Sequence, residues 1–217
     1  GTVASESILT LAVNKNKVLK NETVTITLCV NGEKYPLTLE SMPSNAKSYE
    51  GCIVENNGTI AFNASAYNKA SKTKTSIVEG LGHSMNAVSL ESISEANLKG
   101  DYLEYDIYTY SSGTVELTSC FVPTHPVNGG ELRYAVSIDN MLPQIVSIQT
   151  EAFNSEEWKV NVLRNQARGV TFHEINKAGK HKIRIYALDK GLIADQFLLN
   201  FNSNRSFYVI PVDSGAN

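Results

Sequence analysis

A preponderance of either charge is missing from this 217-residue chain: 19 basic side chains stand against 22 acidic ones, for a formal net charge of −3. With no basic run or stripe, the electrostatic footprint of a nucleic-acid binder is absent. No acidic tail or polybasic membrane-facing segment occurs either. Nowhere do 18 apolar residues run together, which excludes a transmembrane helix. Cysteine is scarce: Cys29, Cys52 and Cys120 lie far apart without C-x-x-C spacing, so neither a zinc site nor a thioredoxin-like motif is supported. The expectation for all three is small buried hydrophobes, with a Cys29–Cys52 bridge as the alternative. Enzyme signatures are lacking too. There is no G-x-S-x-G, H-E-x-x-H, G-x-G-x-x-G after a strand or G-x-x-x-x-G-K-[ST].

What is present is an ordinary globular composition, 42% hydrophobic and 8% aromatic, long enough for one large domain or one domain with a smaller partner. Thr23 to Val30 and Tyr35 to Glu40 alternate polar and apolar around Asn31-Gly32, which reads as a β-hairpin with a tight turn. Together with Leu9 to Val13 they form a small N-terminal β-hairpin or Ig-like segment over residues 1–48. Beyond the polar stretch Ser41 to Ser48, short β-rich runs recur between Gly, Pro and Asn clusters: 59–64, 87–90, 102–110, 114–122, 132–138, 145–148, 170–175, 181–188, 197–201 and 206–210. Their number and spacing predict an all-β antiparallel sandwich over 49–217. Residues 102–110 and 114–122 read as a hairpin across Ser111-Ser112-Gly113. One short helix is expected within Ser155 to Leu163, with a Ser available as cap and Trp158 and Val162 on one face. There Trp158 reads as the anchor that packs the helix onto the sandwich.

The opening Gly1-Thr2-Val3-Ala4-Ser5-Glu6-Ser7 reads as a cloning remnant joined to a polar lead-in. The expectation is a secretion signal removed upstream, and hence a secreted, cell-surface or periplasmic protein.

His83, His125, His173 and His181 stand tens of residues apart without metal-like spacing. Glu104 and Asp106 share a strand face opposite Tyr105 and Ile107, so alternation places them on a solvated surface rather than in a glycosidase-like carboxylate pair.

Read together, Gly80-Leu81-Gly82-His83-Ser84, Tyr102-Leu103-Glu104-Tyr105-Asp106, Pro123-Thr124-His125-Pro126, Leu132-Arg133-Tyr134-Ala135-Val136-Ser137-Ile138-Asp139, Ala178-Gly179-Lys180-His181-Lys182-Ile183-Arg184-Ile185 and Leu188-Asp189-Lys190-Gly191-Leu192-Ile193 form an ordered pattern. It resembles the C-terminal domain of family 115 glycoside hydrolases, the xylan α-1,2-glucuronidases, over about residues 51–217. The resemblance implies a jelly-roll, galactose-binding-like β-sandwich similar to carbohydrate-binding modules of families 6 and 35. It implies no catalysis, since those enzymes carry their catalytic residues in a separate barrel.

Two departures bear on ligands. Related modules hold a structural calcium with a Glu on an early strand, where Ile60-Ala61-Phe62-Asn63-Ala64-Ser65 offers Ser65, and with a late acid that Asp195 resembles. One carboxylate among neutral oxygens is a weak Ca²⁺ site, so no cofactor is expected, with a structural calcium left as the open alternative. The family's usual aromatic ahead of the Gly-Leu-Gly turn is replaced by the polar Lys72-Thr73-Lys74-Thr75.

A sugar site needs an aromatic face and planar polar groups. The candidates are His83, Asn86, Thr124, His125, Arg133, Asp189 and Lys190, with Arg133 suited to a uronate carboxylate; Tyr67, Tyr102, Tyr110 and Tyr134 read first as core. The expected partner is a polysaccharide or oligosaccharide of the hemicellulose class, glucuronoxylan by resemblance. The alternative is a structural module that packs on a catalytic glycoside hydrolase domain or on a second copy without binding sugar.

Overall fold

A computed structural model describes residues 23–40, 49–70, 74–91, 98, 102–127, 131–148, 154–202 and 204–212. The chain divides into two compact units, Gly1–Ser48 and Tyr49–Asn217. In the first, β1 (Thr23–Val30) and β2 (Glu33–Glu40) pair antiparallel with Val30 opposite Glu33. Asn31 and Gly32 hold φ of 51° and 85°, the left-handed pair that a two-residue hairpin turn of matching twist requires. The expectation for Leu9 to Val13 lies outside the described residues.

The second unit contains β3 (Ile53–Val54), β4 (Thr59–Asn63), a 3₁₀ turn (Ala64–Ala66), β5 (Lys69–Ala70), β6 (Thr75–Glu79), β7 (Asn86–Leu90), β8 (Leu103–Thr109) and β9 (Gly113–Phe121). Then follow β10 (Arg133–Ile138), β11 (Gln144–Ser147), α1 (Glu156–Leu163), β12 (Ala167–Ile175), β13 (Gly179–Ala187) and β14 (Ile193–Asn200). One sheet runs β11-β10-β13-β8-β3 with β5 also on β8, and the other runs β12-β9-β14-β7-β6 with β4 also on β14. This is an all-β jelly-roll sandwich. Alternation builds each inner face: along β12, Ala167, Gly169, Thr171, His173 and Ile175 are buried while Val170, Phe172 and Glu174 face outward.

Aromatic rings join the sheets. Tyr105 and Tyr134 from the first meet Phe62, Phe121 and Phe197 from the second, with centroids 4.8 Å apart for Phe62–Tyr105 and 4.7 Å for Phe121–Tyr134. Burying each ring contributes roughly 2–3 kcal/mol, with about 1 kcal/mol more for the tilted contact.

Three expectations change here. First, β8 and β9 are not a hairpin: β8 pairs with β13 and β9 with β12 and β14, in opposite sheets. Alternation reports which face of a strand is apolar and is silent about its partner. The crossing is fixed by Glu55, 7% exposed, which accepts hydrogen bonds from the Tyr110 and Ser111 amides at 2.7 and 2.8 Å and from the Ser111 hydroxyl. Second, Glu104 does lie on an outer face but is 6% exposed, because Lys182 Nζ and Arg184 Nε donate to it at 2.6 and 2.9 Å. Third, only Cys120 of the three free thiols is buried; Cys52 is half-buried and Cys29 exposed.

The segment 206–210, expected as a strand, instead crosses the outer face of the second sheet as irregular chain. Ile210 is buried against Cys120 and Leu198, with Ala61, Phe207 and Val212 around them. Arg168 holds it by donating to the Phe207 and Tyr208 carbonyls at 3.0 and 2.7 Å.

The helix begins as expected, Ser155 Oγ accepting from the Trp158 amide at 3.2 Å. It buries none of its residues. Val162 is 46% and Leu163 85% exposed, while Trp158 is half-buried and shares a narrow cleft with Pro123, Thr124, His125 and Ala167.

Candidate functional site

Along one edge, β14 changes neighbours. Ile193 and Ala194 pair with β7, and Gln196 to Asn200 pair with β4. Asp195 sits at the switch, fully buried. A buried carboxylate requires donors, and this one accepts from the His83 amide at 3.0 Å, the Ser84 amide at 2.9 Å and Gln166 Nε2 at 3.0 Å. It therefore clamps the β6–β7 turn. Gln166 Nε2 also donates to Gln196 Oε1 at 3.1 Å, and Gln196 Nε2 to Asn63 Oδ1 at 3.1 Å. A chain of amides thus leads from the clamp to the surface.

Over this network lies a groove of about 600 Å³ whose polar lining is Asn63, Ser65, His83, Ser84, Asn86 and Gln196. It adjoins a second cavity of about 650 Å³ bordered by Asn56, Asn57, Thr59, Asn68 and Arg205, the two sharing Ile53, Ala61 and Ala66. Amides, hydroxyls and an imidazole are the donors and acceptors that sugar hydroxyls use. Among the described residues no tyrosine or tryptophan borders either cavity.

The seven sequence candidates fall in separate places. His83 and Asn86, both exposed, flank the 600 Å³ groove. Thr124 and His125 border a cleft of about 40 Å³ with Trp158, and the Thr124 hydroxyl donates to the Gly191 carbonyl at 2.7 Å. Arg133 is held bidentately by Asp189, Nε to Oδ2 at 2.9 Å and Nη2 to Oδ1 at 3.1 Å. The fork edge that a uronate would take is thus occupied. Hydrogen bonds from Arg133 hold the Asp189 carboxyl below its ordinary pKa, against the opposing effect of burial. Lys190 is exposed beside this pair.

Sequence reasoning missed Gln166, Gln196 and Asn63. Their separation along the chain carries no spacing signal, and only the pairing of β14 with β4 brings two of them together.

The calcium of related modules does not fit these residues. Asp195 already receives three N–H donors where a cation would need oxygens. Ser65 supplies no carboxylate, and among the described residues no group of three or more His, Cys, Asp or Glu is placed to hold a metal ion.

Comparison with known families matches residues 53–213 to the glycosyl hydrolase family 115 C-terminal domain. Among solved structures, the chain is similar to a family 115 4-O-methyl-α-glucuronidase with specificity for decorated arabinogalactans. The identity is 32% and the TM-score 0.58, over 68% of this chain and 18% of that enzyme. Family 35 carbohydrate-binding modules from Clostridium thermocellum and Paenibacillus barcinonensis are matched at 14% and 10% identity with TM-scores of 0.45 and 0.46, covering 64% and 65% of this chain and 97% and 98% of theirs. Proteins of curated function give no match.

Proposed function

The chain belongs to the glycosyl hydrolase family 115 C-terminal domain family, the non-catalytic, carbohydrate-associated part of those enzymes, and from that premise we propose that it binds a plant polysaccharide bearing glucuronic acid. Glucuronoxylan is the ligand class proposed, with decorated arabinogalactan, the specificity of the similar glucuronidase, as its nearest relative. The proposal includes a secreted or cell-surface location and a catalytic glycoside hydrolase domain as working partner.

The observation that carries this reading is the groove over β4, where His83, Asn86 and Asn63 present planar polar groups beside the clamped turn, with the Gln196 amide buried behind them. A groove formed by two adjoining cavities of about 600 and 650 Å³ suits several sugar units of an extended chain better than a single small molecule. Of the seven candidates, His83 and Asn86 are proposed as direct contacts, with Thr124, His125 and Lys190 as contacts of loops at the sandwich end. Arg133 and Asp189 support those loops.

Depletion from solution onto insoluble glucuronoxylan, with cellulose as control, tests the reading. The wild-type chain is expected to be depleted and the doubly substituted His83→Ala, Asn86→Ala chain to lose roughly tenfold in affinity. Equal depletion of both proteins would remove the groove from the account.

A further inference from the structure

Between α1 and the C-terminal segment lies a pocket of about 480 Å³ bordered by Val160, Leu163, Arg164, Arg168, Phe207 and Tyr208. Its two guanidinium groups have no carboxylate partner among the described residues. Arg164 donates through Nε to the Gln166 carbonyl at 2.8 Å and through Nη2 to Asn161 Oδ1 at 2.6 Å; its Nη1 donates to nothing among the described residues. Arg168 donates to Gln166 Oε1 and to the Phe207 and Tyr208 carbonyls. All these acceptors are neutral oxygens.

Two cations half-buried side by side, whose hydrogen bonds above all go to neutral oxygens, are stabilised by an incoming anion. Burial first, and then Arg168, push the Arg164 pKa down, and the acid that acts on it is the exposed Glu157. The other side of the pocket is apolar and open. Tyr208 is 81% exposed, Leu163 85% and Val160 49%. Arg168 holds the Tyr208 carbonyl at 2.7 Å, so the ring is presented by a pinned backbone.

We infer that this pocket is a subsite for one acidic sugar unit, a hexuronate whose carboxylate takes the free edge of Arg164 and whose C–H face lies on Tyr208. Carboxylate and apolar face within one unit are what a uronic acid offers and a neutral pentose does not. Arg168 acts as a positioning residue, since its donors are spent on Gln166 and the segment that carries Tyr208. Through Gln166 the pocket shares the amide chain that ends at Asn63 in the groove. The inference rests on the carbohydrate-binding reading and adds the residues that would read the acid.

The test is an amide and arginine Nε NMR titration of the full chain with glucuronic acid, xylotetraose, sodium acetate and sodium sulfate. Glucuronic acid is expected to shift the Arg164 Nε signal and the amides of 160–168 and 206–208, more strongly than acetate or sulfate at equal concentration. Arg164→Gln is expected to weaken this about tenfold or more and Tyr208→Ala about threefold. Arg164→Lys, which keeps the charge without the planar fork, is expected to lose most of the preference for glucuronate over acetate, and serves if the glutamine variant does not fold. Wild-type affinity in these variants, or equal shifts with acetate and sulfate, would overturn the inference. Xylotetraose shifts in the groove without glucuronate shifts at Arg164 would overturn it and leave carbohydrate binding intact; no shift with any saccharide would end both.

Discussion

Gly82 and Asp195 pack so closely that a Cβ on Gly82 would stand 2.4 Å from Asp195 Oδ1, at a backbone φ of +74°. That contact lets the turn descend onto the carboxylate and offer the His83 and Ser84 amides. Gly82→Ala is therefore expected to cost roughly 2–4 kcal/mol, from overpacking and from left-handed strain. Asp195→Ala is expected to cost about 3 kcal/mol by leaving the buried Gln166 amide and the His83 and Ser84 amides without their acceptor. Urea unfolding followed by circular dichroism checks both; losses under 1 kcal/mol would mean that the clamp is ornamental.

The same donor set predicts the response to metal. Since three N–H groups fill the Asp195 carboxylate, the melting temperature is expected to be equal, within a degree, in EDTA and in millimolar Ca²⁺. A calcium-dependent rise of several degrees would contradict the clamp as described.

His173 predicts a pH dependence. Burial lowers its pKa to about 4, while its ring contacts Thr171 Oγ1 at 2.9 Å. The folded state holds the imidazole neutral and the unfolded chain, with a pKa near 6.5, binds the proton more readily. The stability associated with the neutral ring is complete above about pH 6.5, falls as the pH drops, and has been lost by about pH 4. Chemical denaturation from pH 8 to 4 is expected to show a shallower decline for His173→Gln than for wild type. Parallel slopes would refute the assignment.

Arg133 and His125 are expected to separate stability from binding. Arg133 ties the start of β10 to the loop before β14 through Asp189, with side chains 35% and 24% exposed, so Arg133→Ala is expected to lower the melting temperature by about 2–4 °C, as loss of about 1 kcal/mol would. His125 is exposed, and His125→Ala is expected to leave melting unchanged. The opposite pattern would return Arg133 to the list of ligand contacts.

Much of the architecture is written in local pattern. Asn31-Gly32 announces its hairpin, and the inward alternation of β12 and β13 is plain in the residues. Partner choice is not local. The run 102–121 reads as two strands around a turn, yet Glu55, far earlier in the chain, makes the turn a corner between sheets. Segment 206–210 is apolar enough for a strand, but it lies on the face of a completed sheet, where no edge is available to pair. Glu104 shows the same limit for burial: its face was legible, while the Lys182 and Arg184 side chains that cover it are cross-strand neighbours. His83 and Asn86 could be found beside the Gly-Leu-Gly turn. The amides of Gln166 and Gln196 could not, because Gln166 meets the buried Asp195 carboxylate from 29 residues away and Gln196 acts by linking Gln166 to Asn63 across the β14–β4 pairing.

Affinity electrophoresis tests the central claim most directly: native gels carrying glucuronoxylan, decorated arabinogalactan, undecorated xylan or pectin, run beside a polymer-free gel. The account predicts retardation by the glucuronate-bearing polymers that exceeds retardation by undecorated xylan, and that persists in EDTA. Uniform mobility in every gel would contradict it and leave the sandwich as a packing domain for a protein partner.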